Sequence, residues 1–222
     1  MEKEKFLNLS KEISNYLKEI PSFWDGKKSI LEMKNSGFNQ WKQMEWIGFY
    51  FQFLCEKLLQ NIMTIPGSKY GKVEFDGFKE IPWDFKTHAI NTCKHEIIVN
   101  DSIATVQAIK EYGCVGLVLA LGEVKYNDNE RTFQEWHKEL KGSKSKYELK
   151  GIERGAWSRL RKVEFNLKQI SFIKIDNAVL IKCGSFQTDF RNSNGTPRKA
   201  KILLDLEKLD EEIVYFLDFS RE

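Results

Sequence analysis

The chain has 222 residues, of which 41% are hydrophobic and 13% aromatic, a composition that supplies a folded core and excludes a disordered chain. The longest apolar run, around Gly113–Gly122, spans about ten residues, which is too short for a transmembrane helix. The charged start, Met1–Lys5, lacks a signal-peptide core, so we expect a cytoplasmic protein. The four cysteines are far apart, and we expect them to be reduced and buried, with no zinc site.

The net charge of +3 is unevenly distributed along the chain. Residues Lys138–Lys174 contain 11 Lys/Arg against 4 Asp/Glu, whereas residues 202–222 contain 2 against 7. A basic middle and an acidic tail favour contact with a polyanion through one surface. A solvated helical face would produce the same pattern, so charge alone leaves both interpretations open.

Apolar periodicity predicts the elements of the first half of the chain. In chain order they are a helix at 5–20, a loop or short helix at 21–37, a long helix at Asn39–Met63, strands at Tyr70–Phe78, Pro82–Ala89 and Glu96–Val99, a helix at 102–112 and a strand at Cys114–Val124. Asp101 is placed to cap the helix at 102–112 and Gly113 to end it. The last strand is a continuous Val/Leu/Ala run, typical of a strand covered on both faces.

The second half of the chain is predicted to be more irregular. In chain order we expect a helix at Arg131–Leu140, a basic linker at Lys141–Lys150, a helical stretch around Ala156–Lys162, strands at Gln169–Ile175 and Ala178–Gly184, a polar loop at Ser185–Lys199, a strand at Lys201–Asp205 and a C-terminal helix. The sequence contains no internal repeat and no low-complexity segment.

A hairpin with its turn at Lys79–Ile81 carries the pattern that indicates chemistry. Strand alternation predicts one apolar face and one polar face. The apolar face comprises Val73, Phe75, Trp83 and Phe85, and the polar face comprises Asp76, Asp84, Lys86 and His88.

This register sets Asp76 opposite Asp84, with Cβ atoms roughly 4.5–5.5 Å apart. Two carboxylates at that separation repel each other, and a divalent cation would offset the cost. Magnesium prefers carboxylate and phosphate oxygens and keeps several waters. Lys86 shares the face of Asp84, where it can sit beside a water that attacks phosphorus. Surface charges around an ordinary Asp-Gly turn are the simpler alternative.

The acid-x-lysine spacing is weak evidence alone, because six such triplets occur in the sequence. Only Asp84-Phe85-Lys86 lies in a predicted strand with a second acid opposite it. Glu123-Val124-Lys125, at the end of the buried strand, is the best competitor.

Asp76-Gly77, with seven residues separating Asp76 from Asp84, followed by Asp84-Phe85-Lys86, resembles the signature of the PD-(D/E)XK nuclease superfamily. Phe75 replaces the proline of that pattern. The predicted order of helix, three strands, helix and strand over Asn39–Val124, about 40% of the chain, is similar to that superfamily's core. The whole most resembles a type II restriction endonuclease.

The resemblance implies an α/β fold with a PD-(D/E)XK nuclease-like core, a mixed β-sheet flanked by helices, and extra C-terminal strands and helix. It implies one nuclease domain, with an N-terminal helical region at 1–37, a catalytic core at 38–124 and DNA-recognition and dimerisation elements at 125–222. We expect a homodimer that cleaves specific double-stranded DNA sequences with Mg²⁺ and leaves 5′-phosphates. A repair or junction-resolving nuclease and a non-catalytic DNA-binding protein are the alternatives.

Enzymes of this type often add a glutamate from the first long helix to the active site. Glu45 and Glu56 are the two candidates, and their spacing places both on one helix face. We favour Glu45 as a further metal ligand, because its apolar neighbours would make an unpartnered charge costly. Glu56 remains the alternative.

The polar loop Ser185–Lys199 contains residue types that read bases in the major groove, although an ordinary Asn-Gly-Pro loop is the alternative. Its candidate residues are Gln187, Arg191, Asn192, Asn194, Arg198 and Lys199. Candidate phosphate contacts come from the basic region and comprise Lys146, Arg159 and Arg161, with Lys144, Lys150, Arg154 and Lys162 beside them. His88 and Asn91 are predicted to contact the DNA backbone near the scissile bond, and His88 is equally consistent with a plain exposed strand residue.

Overall fold

The computed structural model describes residues 1–71, 73–127, 129–142, 149, 153, 155, 160–187, 196 and 199–220. Within these ranges the chain forms a mixed β-sheet flanked by helices, as the α/β prediction required. None of the helices in this part of the chain is long and apolar enough to cross a membrane.

The helices and strands have the following bounds. The helices are α1 Lys3–Leu17, α2 Gly26–Asn35, α3 Trp46–Leu59, α4 Ser102–Tyr112, α5 Thr132–Lys141, α6 Asn177–Cys183 and α7 Leu206–Leu209. The strands are β1 Phe23–Asp25, β2 Lys69–Tyr70, β3 Val73–Glu74, β4 Gly77–Lys79, β5 Ile81–Ala89, β6 Glu96–Asp101, β7 Val115–Tyr126, β8 Lys162–Ile175, β9 Gly184–Gln187, β10 Lys201–Asp205 and β11 Ile213–Asp218.

The main sheet has the order β1-β8-β7-β5-β4, with β11 also paired to β8. Strands β5 and β7 are parallel, and the other pairs are antiparallel. Strand β7 is buried from Val115 to Ala120, because helices cover one face and a second sheet, formed by β6, β10 and β9, covers the other. The prediction of a strand covered on both faces is confirmed.

The pleat of the sheet separates two hydrophobic cores. Trp83 and Phe85 of β5 pack on one face, in the core that includes α1 and α3. Leu117 and Leu119 of β7 pack on the other face, in the core that includes α4, β6 and β10. Since Asp84 pairs in register with Leu117, the polar side chains of β5 lie on this second face.

The predicted first strand of the hairpin is broken. The segment Tyr70–Phe78 forms parts of β2, β3 and β4, and the backbone leaves strand geometry at Phe75 and Asp76. Phe75 exchanges backbone hydrogen bonds with Gly67 and Ser68, and its ring joins the core opposite Trp83. The prediction that Phe75 shares a face with Trp83 and Phe85 was therefore wrong.

Other boundaries also differ from the sequence prediction. The long helix at Asn39–Met63 is a 3₁₀ turn at Asn39–Lys42 followed by α3. The predicted strand at Ala178–Gly184 is helix α6, because the Asp176 carboxylate caps the N–H groups of Ala178 and Val179.

The second sheet was not predicted from the sequence. Strand β6 pairs with β10, and β10 pairs with β9. The predicted strand Glu96–Val99 therefore belongs to this separate three-stranded sheet and not to the main sheet. The C-terminal helix is only the short α7, and strand β11 follows it. Helix α4 is as predicted, since Asp101 caps it and Gly113 ends it with φ +82°.

Candidate active site

Three polar side chains meet where β4 and β5 form a tight hairpin. Glu80 turns the chain with φ 58°, so Lys79 pairs with Ile81 and Gly77 pairs with Trp83. One residue further, this register places Asp76 beside Asp84. The Asp76 carboxylate reaches across the hairpin, and its Oδ2 accepts a hydrogen bond from Phe85 N over 2.7 Å.

Lys86 lies between the two carboxylates. Its Nζ donates to Asp84 Oδ1 over 2.8 Å and lies 3.7 Å from Asp76 Oδ2. The same ammonium is 3.3 Å from Phe85 O. The arrangement follows from strand alternation, because residues 84 and 86 of one strand point to the same face. The Lys86 ammonium thus neutralises part of the negative charge of the Asp76 and Asp84 carboxylates.

Asp84 is deeply buried, with 2% of the residue exposed. Its Oδ2 is buried, and among the described residues it has no hydrogen-bond partner. An unpaired carboxylate oxygen in a buried position is costly. A cation or a donor from a bound molecule would satisfy it.

The electrostatics of the three groups are coupled. Burial, together with the nearby Asp84 charge, raises the pKa of Asp76 to about 7, although the Lys86 ammonium opposes the shift. Burial alone would lower the pKa of Lys86, but the charges of Asp84 and Asp76 raise it above its ordinary value. Lys86 is therefore a hydrogen-bond donor that carries a positive charge at neutral pH.

The two carboxylates suit a hard cation that takes only a few of its ligands from the protein. Magnesium is often held by one or two carboxylates, with water and substrate phosphate completing its shell. Asp76 and Asp84 provide these carboxylates. No cluster of three or more His, Cys, Asp or Glu side chains able to hold a metal is found in the described part of the chain. Two carboxylates match the small number of protein ligands that magnesium takes.

Helix α3 packs against β5 behind the site. A Cβ added at Gly48 would lie 3.7 Å from Thr87 Oγ1, so the helix approaches the strand closely there. Cys55 is fully buried, and burial followed by the charges of Asp76 and Glu56 raises the pKa of its thiol. Cys55 of α3 is thus within electrostatic reach of Asp76.

The structure separates the two helix glutamates. Glu45 precedes α3, its side chain is 72% exposed, and it lies 3.8 Å from Arg161 and 3.7 Å from Lys162. The expectation that Glu45 is buried in the helix beside apolar neighbours was wrong. Glu56 is half-buried, burial raises its pKa, and Gln52 Nε2 donates to its Oε1 over 2.9 Å.

Gln52 was not singled out in the sequence. The signal was present, because residues four apart on a helix are neighbours, and Gln52 and Glu56 have this spacing. The Gln52 amide thus holds the Glu56 carboxylate in one orientation.

His88 and Asn91 hold the segment that follows β5. His88 Nε2 donates to Lys94 O over 2.9 Å. Asn91 Nδ2 donates to Val124 O and its Oδ1 accepts from Val124 N, at 2.9 and 3.0 Å. The side-chain amide of Asn91 is thus engaged with β7 within the chain.

The remaining predicted DNA contacts are dispersed. Arg161 is largely buried, with 14% of its side chain exposed, and pairs with Glu45. Gln187 ends β9, and Lys199 is exposed just before β10. The other predicted contacts lie outside the described residues, and they are Lys144, Lys146, Lys150, Arg154, Arg159, Arg191, Asn192, Asn194 and Arg198.

Comparison with known proteins yields one likeness. No family model matches the chain, and no curated protein matches it in sequence. Among solved structures, it is similar to the restriction endonuclease BglI bound to its DNA recognition sequence. The sequence identity is 10% and the TM-score 0.42, over 97% of this chain and 88% of that chain. At this level the likeness carries no conclusion about activity, which has to come from the site.

Proposed function

We propose that the protein is a magnesium-dependent endonuclease that cleaves double-stranded DNA at specific sequences, in the manner of a type II restriction enzyme. The observation that carries the proposal is the buried Oδ2 of Asp84, which lies next to Asp76 and Lys86 and has no hydrogen-bond partner in the described part of the chain. A carboxylate pair with its own lysine, on one face of a strand, has the donor set for hydrolysis of a phosphodiester. Magnesium held there would polarise the phosphoryl oxygen and stabilise the leaving 3′ oxygen.

Each side chain has a separate role in this proposal. Asp76 and Asp84 hold the cation, and the hydrogen bond from Phe85 N orients the Asp76 carboxylate. Lys86 stays protonated, since two carboxylates surround it, so it orients the attacking water and stabilises negative charge that develops at phosphorus. Glu56, oriented by Gln52, replaces Glu45 as the helix carboxylate that assists. The products carry 5′-phosphate and 3′-hydroxyl ends.

Further parts of the proposal concern assembly and DNA contact. The described part of the chain supplies one such site, and a palindromic duplex has two strands to cut, so we infer a homodimer. We place this homodimer in the cytoplasm. Residues 38–124 form the catalytic core, and residues 125–222 supply recognition and dimerisation. Base contacts come from the polar segment that contains Arg191 and Asn194, and phosphate contacts come from the basic region of the sequence around Lys146 and Arg159.

The decisive experiment is digestion of a long DNA of known sequence with Mg²⁺. Wild type gives discrete bands, whereas Asp84→Asn and Lys86→Ala cut at least about 100-fold more slowly. Both variants still bind DNA, and Asp84→Asn binds at least as tightly because it removes negative charge facing phosphate. Glu123→Gln is the matched control, since Glu123-Val124-Lys125 has the same spacing on the neighbouring strand.

Three results would contradict the proposal in different ways. A smear or a preference for branched DNA would favour a repair or junction-resolving nuclease. Binding without magnesium-dependent cleavage would favour a non-catalytic DNA-binding protein. Cleavage by Asp84→Asn at the wild-type rate would place the active site elsewhere.

A further inference from the structure

A cavity of about 430 Å³ opens on the same face of the sheet as Asp84 and Lys86. Its floor is formed by β5, β7 and β8, and its walls by the segment after β5 and by the chain from α7 to β11. This volume falls in the range of sites that enclose a small molecule or a single molecular group. None of the roles proposed above for the catalytic residues uses this space.

The cavity is continuous with the candidate active site. Lys86 pairs in register with Leu119 and His88 pairs with Leu121, and three of these four residues, His88, Leu119 and Leu121, line the cavity. His88 lies two positions after Lys86 along β5, a distance of about 6.6 Å. A nucleotide next to a phosphate held at Lys86 would thus reach the cavity without leaving the face of the sheet.

The lining combines an apolar interior with a polar mouth. Leu121, Leu206 and Ile213 supply partly exposed apolar surface. The exposed polar side chains at the mouth are Lys94, His95, Glu207 and Asp210, and Glu207 Oε1 lies 3.7 Å from His95 Nδ1. Glu207 and Asp210 are hydrogen-bond acceptors, so neither binds a phosphate oxygen. They accept hydrogen bonds from an exocyclic amino group, as acidic side chains do from cytosine. Apolar walls are the usual partners of an unstacked base.

The wall beside the mouth is fixed before any ligand binds. His88 donates to Lys94 O, and Asn91 donates to Val124 O. Leu206 N donates to His95 O over 2.7 Å. These bonds tie the segment after β5 to β7 and to α7. A preformed cavity costs less to occupy than one that must open.

We propose that this cavity receives one base of the bound DNA, unstacked from the duplex beside the scissile phosphate, and that Glu207 and Asp210 select a base with an exocyclic amino group. The proposal rests on the proposed nuclease function, because it takes the phosphate position from Asp84 and Lys86. It assigns sequence reading to a part of the chain distinct from the polar loop Ser185–Lys199.

The test uses free nucleotides and the histidine resonances of the whole protein. The chain has only three histidines, and two of them, His88 and His95, line the cavity. His137 is buried and bonded to Trp41 O, so it serves as an internal control. Deoxycytidine monophosphate is titrated to about 10 mM, since single nucleotides bind with millimolar Kd. Deoxythymidine monophosphate is the matched ligand without the amino group, and inorganic phosphate is the control for anion binding.

The expected result is that the cytosine nucleotide shifts His88 and His95 but not His137, with at least about threefold tighter binding than the thymine nucleotide. Ile90→Trp, at an exposed position of the rim, should abolish the shifts. Leu121→Trp, which fills the floor, should do the same and provides a second variant. The double change Glu207→Gln with Asp210→Asn should equalise the two nucleotides.

Several results would overturn the inference. These are equal shifts with inorganic phosphate, absence of shifts at His88 and His95, equal binding of the two nucleotides, and unchanged binding by both filled variants. Each of them leaves the digestion of DNA by wild type untouched, so failure here is separable from failure of the proposed function.

Discussion

Replacing Asp76 by asparagine should stabilise the metal-free protein at alkaline pH. The pKa of Asp76 lies at about 7, against an ordinary value of 3.8. At 1.36 kcal/mol for each pKa unit, ionising this carboxylate in the folded protein costs up to about 4 kcal/mol. Asparagine avoids that cost, still accepts from Phe85 N, and loses the attraction to Lys86. We expect the free energy of unfolding to rise by about 1–3 kcal/mol at pH 8 in chelator. This exceeds the roughly 0.2–1 kcal/mol that two opposed like charges cost on an exposed sheet.

The sign of the pH dependence follows from proton uptake. Between the ordinary value of 3.8 and the folded value of about 7, the folded chain holds a proton on Asp76 that the unfolded chain has released. This contribution to wild-type stability is therefore complete at low pH and is lost as pH rises through 7. Asp76→Asn lacks it, so the two proteins should differ little at pH 4 and most at pH 8.

The assay is urea unfolding in chelator at pH 4 and pH 8. Glu123→Gln is the control, because its carboxylate is half exposed and lies 3.5 Å from Lys168 Nζ. It should change stability by less than about 0.5 kcal/mol at both pH values. Equal or lower stability of Asp76→Asn at pH 8 would refute the reasoning, as would a gain that is the same at pH 4.

Three further predictions concern other parts of the molecule. Glu56→Gln should slow cleavage roughly 10- to 100-fold, while Glu45→Gln should leave the rate within about twofold, which steady-state digestion measures; the reverse order would restore Glu45. Asp101→Ala should lower the free energy of unfolding by about 1–2 kcal/mol in urea, because its carboxylate caps two N–H groups of α4; a change below 0.5 kcal/mol, about the scatter of surface substitutions, would contradict this. Arg191→Ala should cost about 1–3 kcal/mol at the cognate site only, whereas Lys146→Ala should weaken binding to all DNA alike, as salt-dependent binding assays would show; equal losses on both DNAs would make Arg191 a backbone contact.

The hairpin could be predicted from the sequence because a tight turn determines its register. Once the turn is placed at residue 80, alternation sets Asp84 and Lys86 on one face and Asp76 next to them. Phe75 was assigned to the wrong core because alternation assumes an unbroken strand. The break depends on backbone bonds from Phe75 to Gly67 and Ser68, and no local periodicity reveals these.

The predictions of a buried Glu45 in the long helix and of a strand at 178–184 were wrong for a related reason. Glu45 owes its environment to Arg161 and Lys162, more than a hundred residues away in sequence. Seven apolar-rich residues fit a strand and a helix equally well, and the Asp176 cap decides between them. Long-range partners and caps thus determined the outcome where local pattern was ambiguous.

Lys86 should be coupled unequally to its two carboxylates. Its Nζ is 2.8 Å from Asp84 and 3.7 Å from Asp76, and Asp84 is the more buried side chain. Lys86→Met keeps the volume and removes the charge, so the metal-free protein loses the cation that stabilises both acids. Breaking a buried pair in this way costs up to about 3–5 kcal/mol, and the partly exposed lysine should bring the loss to about 1–3 kcal/mol.

Double-mutant cycles in chelator at pH 8 measure the two couplings separately. Lys86→Met combined with Asp84→Asn should give the larger interaction energy, and Lys86→Met combined with Asp76→Asn the smaller. Magnesium should then stabilise Lys86→Met more than wild type, since the ion supplies positive charge to the carboxylates that lost their ammonium. A larger coupling with Asp76, or an equal effect of magnesium on both proteins, would mean that Lys86 does not balance the two acids as the distances indicate.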